Sequence, residues 1–146
     1  MNSGMNKVQD VLENYKSAIY ERDVEKFISS YSDDVHIYDS WGHWEWKGIS
    51  LWKDNVVEWF NGLKEEGYLL KVEFTDVTIE ENNDLAFVHC AVTFAGYTEQ
   101  SGEKSRQMTN RFTFGLKKQN DSWLISHEHS SLPINMDTGK GMFDLR

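Results

Sequence analysis

After Gly67 the hydrophobic period of the chain switches from three and four residues to two, and it holds that period through four long segments. These segments read as strands over Leu69–Glu80, Leu85–Thr98, Lys104–Lys118 and Trp123–Leu132. The stretches between them, Glu81–Asp84, Glu99–Gly102 and Lys118–Ser122, are short and polar, so consecutive strands are expected to pair as antiparallel hairpins. Strands of this length twist and curl when assembled. A curled sheet covered on its concave side encloses a hollow at the junction with its cover, a usual place for a ligand.

The cover is written upstream. Val8, Val11, Leu12, Tyr15 and Ile19 lie on one face of a helix spanning about Met5–Glu21. A shorter helix, Val24–Ser30, follows with Asp23 as its N-cap. A third, Leu51–Glu66, is expected to be capped by Ser50 and stopped by Gly67. Between the second and third, Val35, Ile37 and Asp39 alternate as a short strand, and Ser40–Gly48 is a loop carrying Trp41, Trp44 and Trp46. Helices followed by a meander define an α+β class, with three helices on a curved antiparallel sheet around one pocket. A single domain over residues 1–146 is expected, with a core at about 5–133 and a tail at 134–146.

Charge narrows the partners. A chain of 146 residues with a net charge of −9 lacks the basic patch that nucleic acid or an anionic membrane surface requires. No apolar run is long enough to span a bilayer, and Met1–Asn6 has no apolar signal-peptide core, so a cytoplasmic location is expected. The lone Cys90 sits in an apolar run and reads as a buried, inert thiol. There is no Gly-rich phosphate loop and no legible Ser-His-Asp or Cys-His set, and no cofactor is expected. Aromatic residues make up 14% of the chain, enough to wall a cavity as well as to fill a core.

Strand parity then suggests a site. His127 and His129 share a face with Ile125 and Ser131. Placed on the concave side, they join Arg111, Thr109 and Thr113 of the preceding strand, and His89 with Phe87 and Ala91. Arg111 offers a bidentate fork to a carboxylate, and a histidine can act as acid or base near neutrality. The alternative is a satisfied internal network in which Arg111 pairs with Asp39 or with a pocket glutamate. A three-histidine metal set from His89, His127 and His129 is disfavoured by the neighbouring Arg111, and no metal is expected. Asp39 could serve as a base if apolar surroundings raise its pKa. Trp41 and Trp44 are candidates for the pocket mouth, Trp52 and Trp59 for the core. The other parity, Val88, Cys90, Val92, Phe112 and Phe114, is assigned to the outer face, where its apolar character suggests a subunit contact.

The element order, together with Tyr15, Asp23, Tyr31–Asp34 and Asp39, resembles the nuclear transport factor 2-like superfamily in its ketosteroid isomerase branch. Trp123–Pro133, with His127, His129 and Ser131, is similar to SnoaL-like domains and to the association domain of calcium/calmodulin-dependent kinase II. The resemblance implies a cystatin-like cone and a homodimer. It also implies that Asp39 shuttles a proton while Tyr15 stabilises the dienolate oxygen. The family's second acid aligns with Thr113, and an arginine on the preceding strand aligns with Arg111. The expected function is binding of a small anionic or carbonyl compound, aromatic or apolar, with isomerase or cyclase chemistry by proton transfer. Asp39, Tyr15 and His127 are the catalytic candidates. Arg111, His129, His89, Trp41, Trp44, Thr113 and Ser131 are the binding candidates. A non-catalytic ligand-binding or oligomerisation module is the alternative.

Overall fold

The computed structural model describes residues 5–145. Helix α1 (Val8–Glu21) buries Val8, Val11, Leu12, Tyr15, Ala18 and Ile19, the stripe that the spacing predicts. It ends at Arg22, which takes a left-handed conformation with φ 55°. The Arg22 guanidinium donates to Glu99 at 2.8 Å and to the Tyr68 carbonyl at 3.3 Å, fastening the helix end to the sheet. Asp23 caps α2 (Val24–Ile28) by accepting the Lys26 N–H at 3.0 Å. Helix α3 (Ile49–Glu66) starts two residues earlier than Ser50 would set it: its N-cap is Gly48 at φ 87°, where a side chain would be strained. Its other end is at Gly67, φ 73°, as the pattern predicts.

Six strands form one curved, open sheet: β1 (Tyr31–Tyr38), β2 (Trp46–Lys47), β3 (Tyr68–Glu81), β4 (Leu85–Thr98), β5 (Lys104–Gln119) and β6 (Ser122–Ser131). Their order is β2-β1-β6-β5-β4-β3. The hairpins β3–β4, β4–β5 and β5–β6 are antiparallel as expected. β1 docks on the free edge of the meander and runs parallel to β6, so the sheet is mixed and not purely antiparallel.

The helices cover one parity of the strands, and it is the apolar one. Val88, Cys90, Val92, Phe112 and Phe114, expected on the outer face, are all in the core under the helices. An antiparallel sheet with one solvated face must turn its continuous apolar parity inward. Cys90 is buried and free, and desolvation pushes its thiol up to about 11. The alternate set, including Phe87, His89 and Arg111, is exposed on the opposite face.

β6 adds a second change of side. Leu116 pairs with Ile125 but Gly115 pairs with His127, so Ser126 is an extra residue in the ladder. Before this bulge Trp123 and Ile125 point inward; after it Glu128 and Ser130 do. His127 and His129 thereby leave the face of Ile125 and join the outer row His89–Thr113–His129.

This assignment of faces predicts opposite outcomes for adjacent residues on β5. Phe114→Ala should cost about 3–5 kcal/mol in urea denaturation, whereas Thr113→Ala should cost under about 1 kcal/mol. A large loss at Thr113 and a small one at Phe114 would reverse the faces.

Candidate functional site

Between α3, the middle of α1 and the inner face of β3–β6 lies a cavity of about 610 Å³. Its walls are apolar and aromatic, with Trp41, Trp52, Trp59, Phe94 and Phe112 among them. Polar side chains line it too: Tyr15 from α1, Asp39 just past β1, Asn110 from β5 and Glu128 from β6, with Asn55, Glu58 and Glu66 of α3 and Arg106 and Gln107 of β5.

Tyr15 sits in an aromatic box, with its ring 5.1 Å from Phe27, 5.7 Å from Phe74, 5.8 Å from Phe114 and 6.4 Å from Phe112. Burial holds its hydroxyl proton well above the ordinary phenol range, and the charges of Glu128 and Asp39 add to this. Tyr15 is thus a hydrogen-bond donor at any working pH. Glu128 is 4% exposed. Burial pushes its carboxyl up to about 8, and Asp39 adds to the shift, against the Tyr31 hydroxyl, which donates to Glu128 Oε1 at 2.6 Å. At pH 7 Glu128 is mostly a neutral acid that retains a proton to donate.

Asp39 is less deeply placed. Burial raises its pKa, opposed by the Ser130 hydroxyl, the backbone N–H groups of Ser40 and Trp41, and His43. Ser130 Oγ donates to Asp39 Oδ1 at 3.3 Å. Behind it, Ser40 and Ser130 share a hydroxyl contact at 2.9 Å, and Asn110 Nδ2 donates to Ser40 Oγ at 3.1 Å. The two carboxyls therefore differ in kind: one is ringed by donors and the other is desolvated, with a single tyrosine hydroxyl.

Of the residues expected at the site, Tyr15, Asp39 and Trp41 come together on the cavity. Arg111, His89, His127, His129, Thr113 and Ser131 lie on the outer-face parity and do not line it. Arg111 and Asp39 do not pair: Asp39 lines the cavity, and Arg111 is exposed on the other face of the sheet. His127 instead contacts the His36 carbonyl through Nδ1 at 2.6 Å. Trp44 is 90% exposed and away from the cavity, whereas Trp41 is at its mouth and stacks on Phe143 at 5.5 Å. Trp52 is core, as expected, and Trp59 packs against it from the cavity wall.

Glu128, Asn110, Tyr31 and the Ser40–Ser130 pair were missed by sequence reasoning. The signal for Asn110 was present, since it is the polar residue in the apolar parity that runs on through Phe112, Phe114 and Leu116. Glu128 gave no comparable signal, because its side depends on the bulge at Ser126.

A sequence profile of the SnoaL-like domain matches residues 8–135. The chain belongs to this family. Among solved structures it is similar to an NTF2-like protein of unknown function from Pseudomonas putida, at 25% identity, TM-score 0.81, and coverage of 99% of this chain and 96% of the other. It shares its fold with a ketosteroid isomerase-like protein from Erwinia carotovora, at 21% identity, TM-score 0.60, and coverage of 90% and 97%. The same holds for a proposed calcium/calmodulin-dependent protein kinase II association domain from Xanthomonas campestris, at 19% identity, TM-score 0.70, and coverage of 85% and 84%. Other neighbours are described as having a cystatin-like fold. No protein of curated function matches the chain. Among the described residues no helix is long and apolar enough to cross a membrane.

The state of Glu128 has a measurable consequence. Its folded pKa, about 8, lies above its ordinary value of 4.5, so the folded state holds a proton that the unfolded state releases. Stability should therefore fall as pH rises from about 4.5 to about 8, by a few kcal/mol in all. Glu128→Gln should flatten that decline in urea denaturation across this range and be more stable than the native protein at pH 8. An unchanged slope would mean that Glu128 ionises normally.

Proposed function

We propose that this SnoaL-like protein binds a compact aromatic or apolar carbonyl compound and catalyses its isomerisation or cyclisation by proton transfer. The observation that carries this reading is the convergence of two unlike carboxyls and a buried tyrosine on one apolar cavity. Asp39, ionised and surrounded by donors, takes a proton from carbon next to the carbonyl. Negative charge then develops on the carbonyl oxygen. Tyr15 and neutral Glu128 donate hydrogen bonds to that oxygen in a water-poor space, where such bonds are strongest. Asp39 returns the proton at another carbon or, after ring closure, to the product. The proton count balances without an added oxidant or reductant.

A neutral carbonyl compound fits this cavity better than an acid. Glu58 and Glu66 also line it, and the cation there, Arg106, is 3.7 Å from Glu66 and packs over the Tyr68 ring. A ligand carboxylate would share the cavity with four acidic side chains, Asp39, Glu58, Glu66 and Glu128, and with one arginine that already faces Glu66. His127 and Arg111, on the outer face, have no part in this chemistry.

The test is conversion of β,γ-unsaturated ketones to their conjugated isomers, followed by absorbance, with deuterium uptake from heavy water as a second readout. Asp39→Asn should lower the rate by about 10²–10⁴-fold and Tyr15→Phe by about 10²-fold. Arg111→Ala should leave it within twofold. A native protein no faster than an acetate buffer, or an Asp39→Asn variant at full rate, would sink the reading.

A further inference from the structure

Tyr31 and Glu128 meet under the helices. The Tyr31 hydroxyl lies 2.6 Å from Glu128 Oε1, and both residues are buried. A neutral carboxyl has one oxygen that only accepts and one that carries the hydrogen. The tyrosine decides which is which. Its single hydrogen needs an acceptor, and its other polar neighbour, the Trp52 indole, has an N–H that can only donate. If Glu128 Oε1 carried the acid hydrogen, the buried tyrosine hydrogen would be left without a partner, which is costly. Oε1 is therefore the accepting oxygen, and the acid hydrogen falls to Oε2. The tyrosine ring is itself held in place, 5.3 Å from Phe27 and 6.0 Å from Trp52.

Oε2 has no hydrogen-bond partner among the described residues, yet it is not sealed in. The buried side-chain atoms that are both sealed and unpartnered are Arg22 Nε, Trp46 Nε1, Trp52 Nε1 and Asn110 Oδ1. Oε2 is thus open to a molecule the size of water, on a residue that lines the cavity. The Tyr15 hydroxyl is unpartnered and open in the same way. Tyr31 does not line the cavity and can act there only through Glu128. We propose that Tyr31 is a positioning residue: by occupying Oε1 it directs the acid hydrogen of Glu128, on Oε2, into the cavity that the Tyr15 hydroxyl also reaches. This inference rests on the reading of the cavity as a carbonyl site.

The first readout is infrared and needs no substrate. At pH 6 the difference spectrum between the native protein and Glu128→Gln should contain the C=O band of a neutral carboxyl. In the Tyr31→Phe background that band should move to higher frequency, because the carbonyl oxygen has lost its donor. The second readout is the isomerisation of β,γ-unsaturated ketones. Tyr31→Phe should lower kcat about tenfold and leave KM within about threefold. The alkaline limb of kcat/KM should move to higher pH, since Tyr31 lowers the pKa of Glu128 whereas burial and Asp39 raise it. A merely structural tyrosine would move neither the band nor the limb. A band that stays put, or that is missing from the native protein, overturns the proposal. So does a Tyr31→Phe variant with native kcat or an unmoved limb. If Tyr31→Phe does not fold, the native band decides: it should lie below that of a monomeric carboxylic acid in hydrocarbon, and an equal frequency overturns the proposal. A band that shifts as expected in a protein that converts no ketone would instead bring down the carbonyl reading, and the role of Tyr31 in it.

Discussion

Three helices have to cover a sheet that is too long for them. At about 3.3 Å per residue, the 14 to 16 residues of β3, β4 and β5 reach about 46–53 Å. At 1.5 Å per residue, α3, the longest helix, with its 18 residues, spans about 27 Å and α1, with 14, about 21 Å. A flat sheet would leave much apolar parity in water. Curling brings the strands around the helices, and where the two curvatures part company a cavity remains. Its apolar walls are therefore a continuation of the core, with Leu63, Leu70 and Phe112 belonging to both.

That origin explains the behaviour of the ionisable groups. A cavity that continues the core desolvates whatever polar side chain projects into it. Glu128, with Tyr31 as its hydrogen-bond partner, keeps its proton. Asp39 gathers backbone and hydroxyl donors that oppose the rise burial causes. Two carboxyls on one cavity with different donor sets can divide acid and base roles between them.

Much of this was legible in the sequence, for local reasons. The stripe on α1, the cap at Asp23, the stop at Gly67 and the four long strands follow from periodicity and turn chemistry. Tyr15 and Asp39 were legible through a family resemblance and through the alternation of Val35, Ile37 and Asp39. The faces of β4 and β5 were readable but misassigned. Polar residues with recognisable chemistry, His89 and Arg111, were given the inside, although Val88, Cys90, Val92, Phe112 and Phe114 form the parity that burial requires. The inward turn of Glu128 was not readable from any window of β6 alone. A bulge is a property of two paired strands, and Ser126 in isolation looks like any other strand residue. The parallel docking of β1 is likewise a choice among edges that no local pattern fixes.

The tail carries a different kind of information. Beyond Pro133 the chain turns back through the Ile134–Gly141 bridge, held by the Asn135–Lys140 and Pro133–Met142 backbone bonds. This return lays Phe143 against Trp41 at the cavity mouth. The span shared with the family ends at residue 135. The interior of the cavity and this contact at its mouth thus come from stretches far apart in the chain. A change at Phe143 would alter the support of Trp41, and so the width of the opening, without touching Tyr15, Asp39 or Glu128.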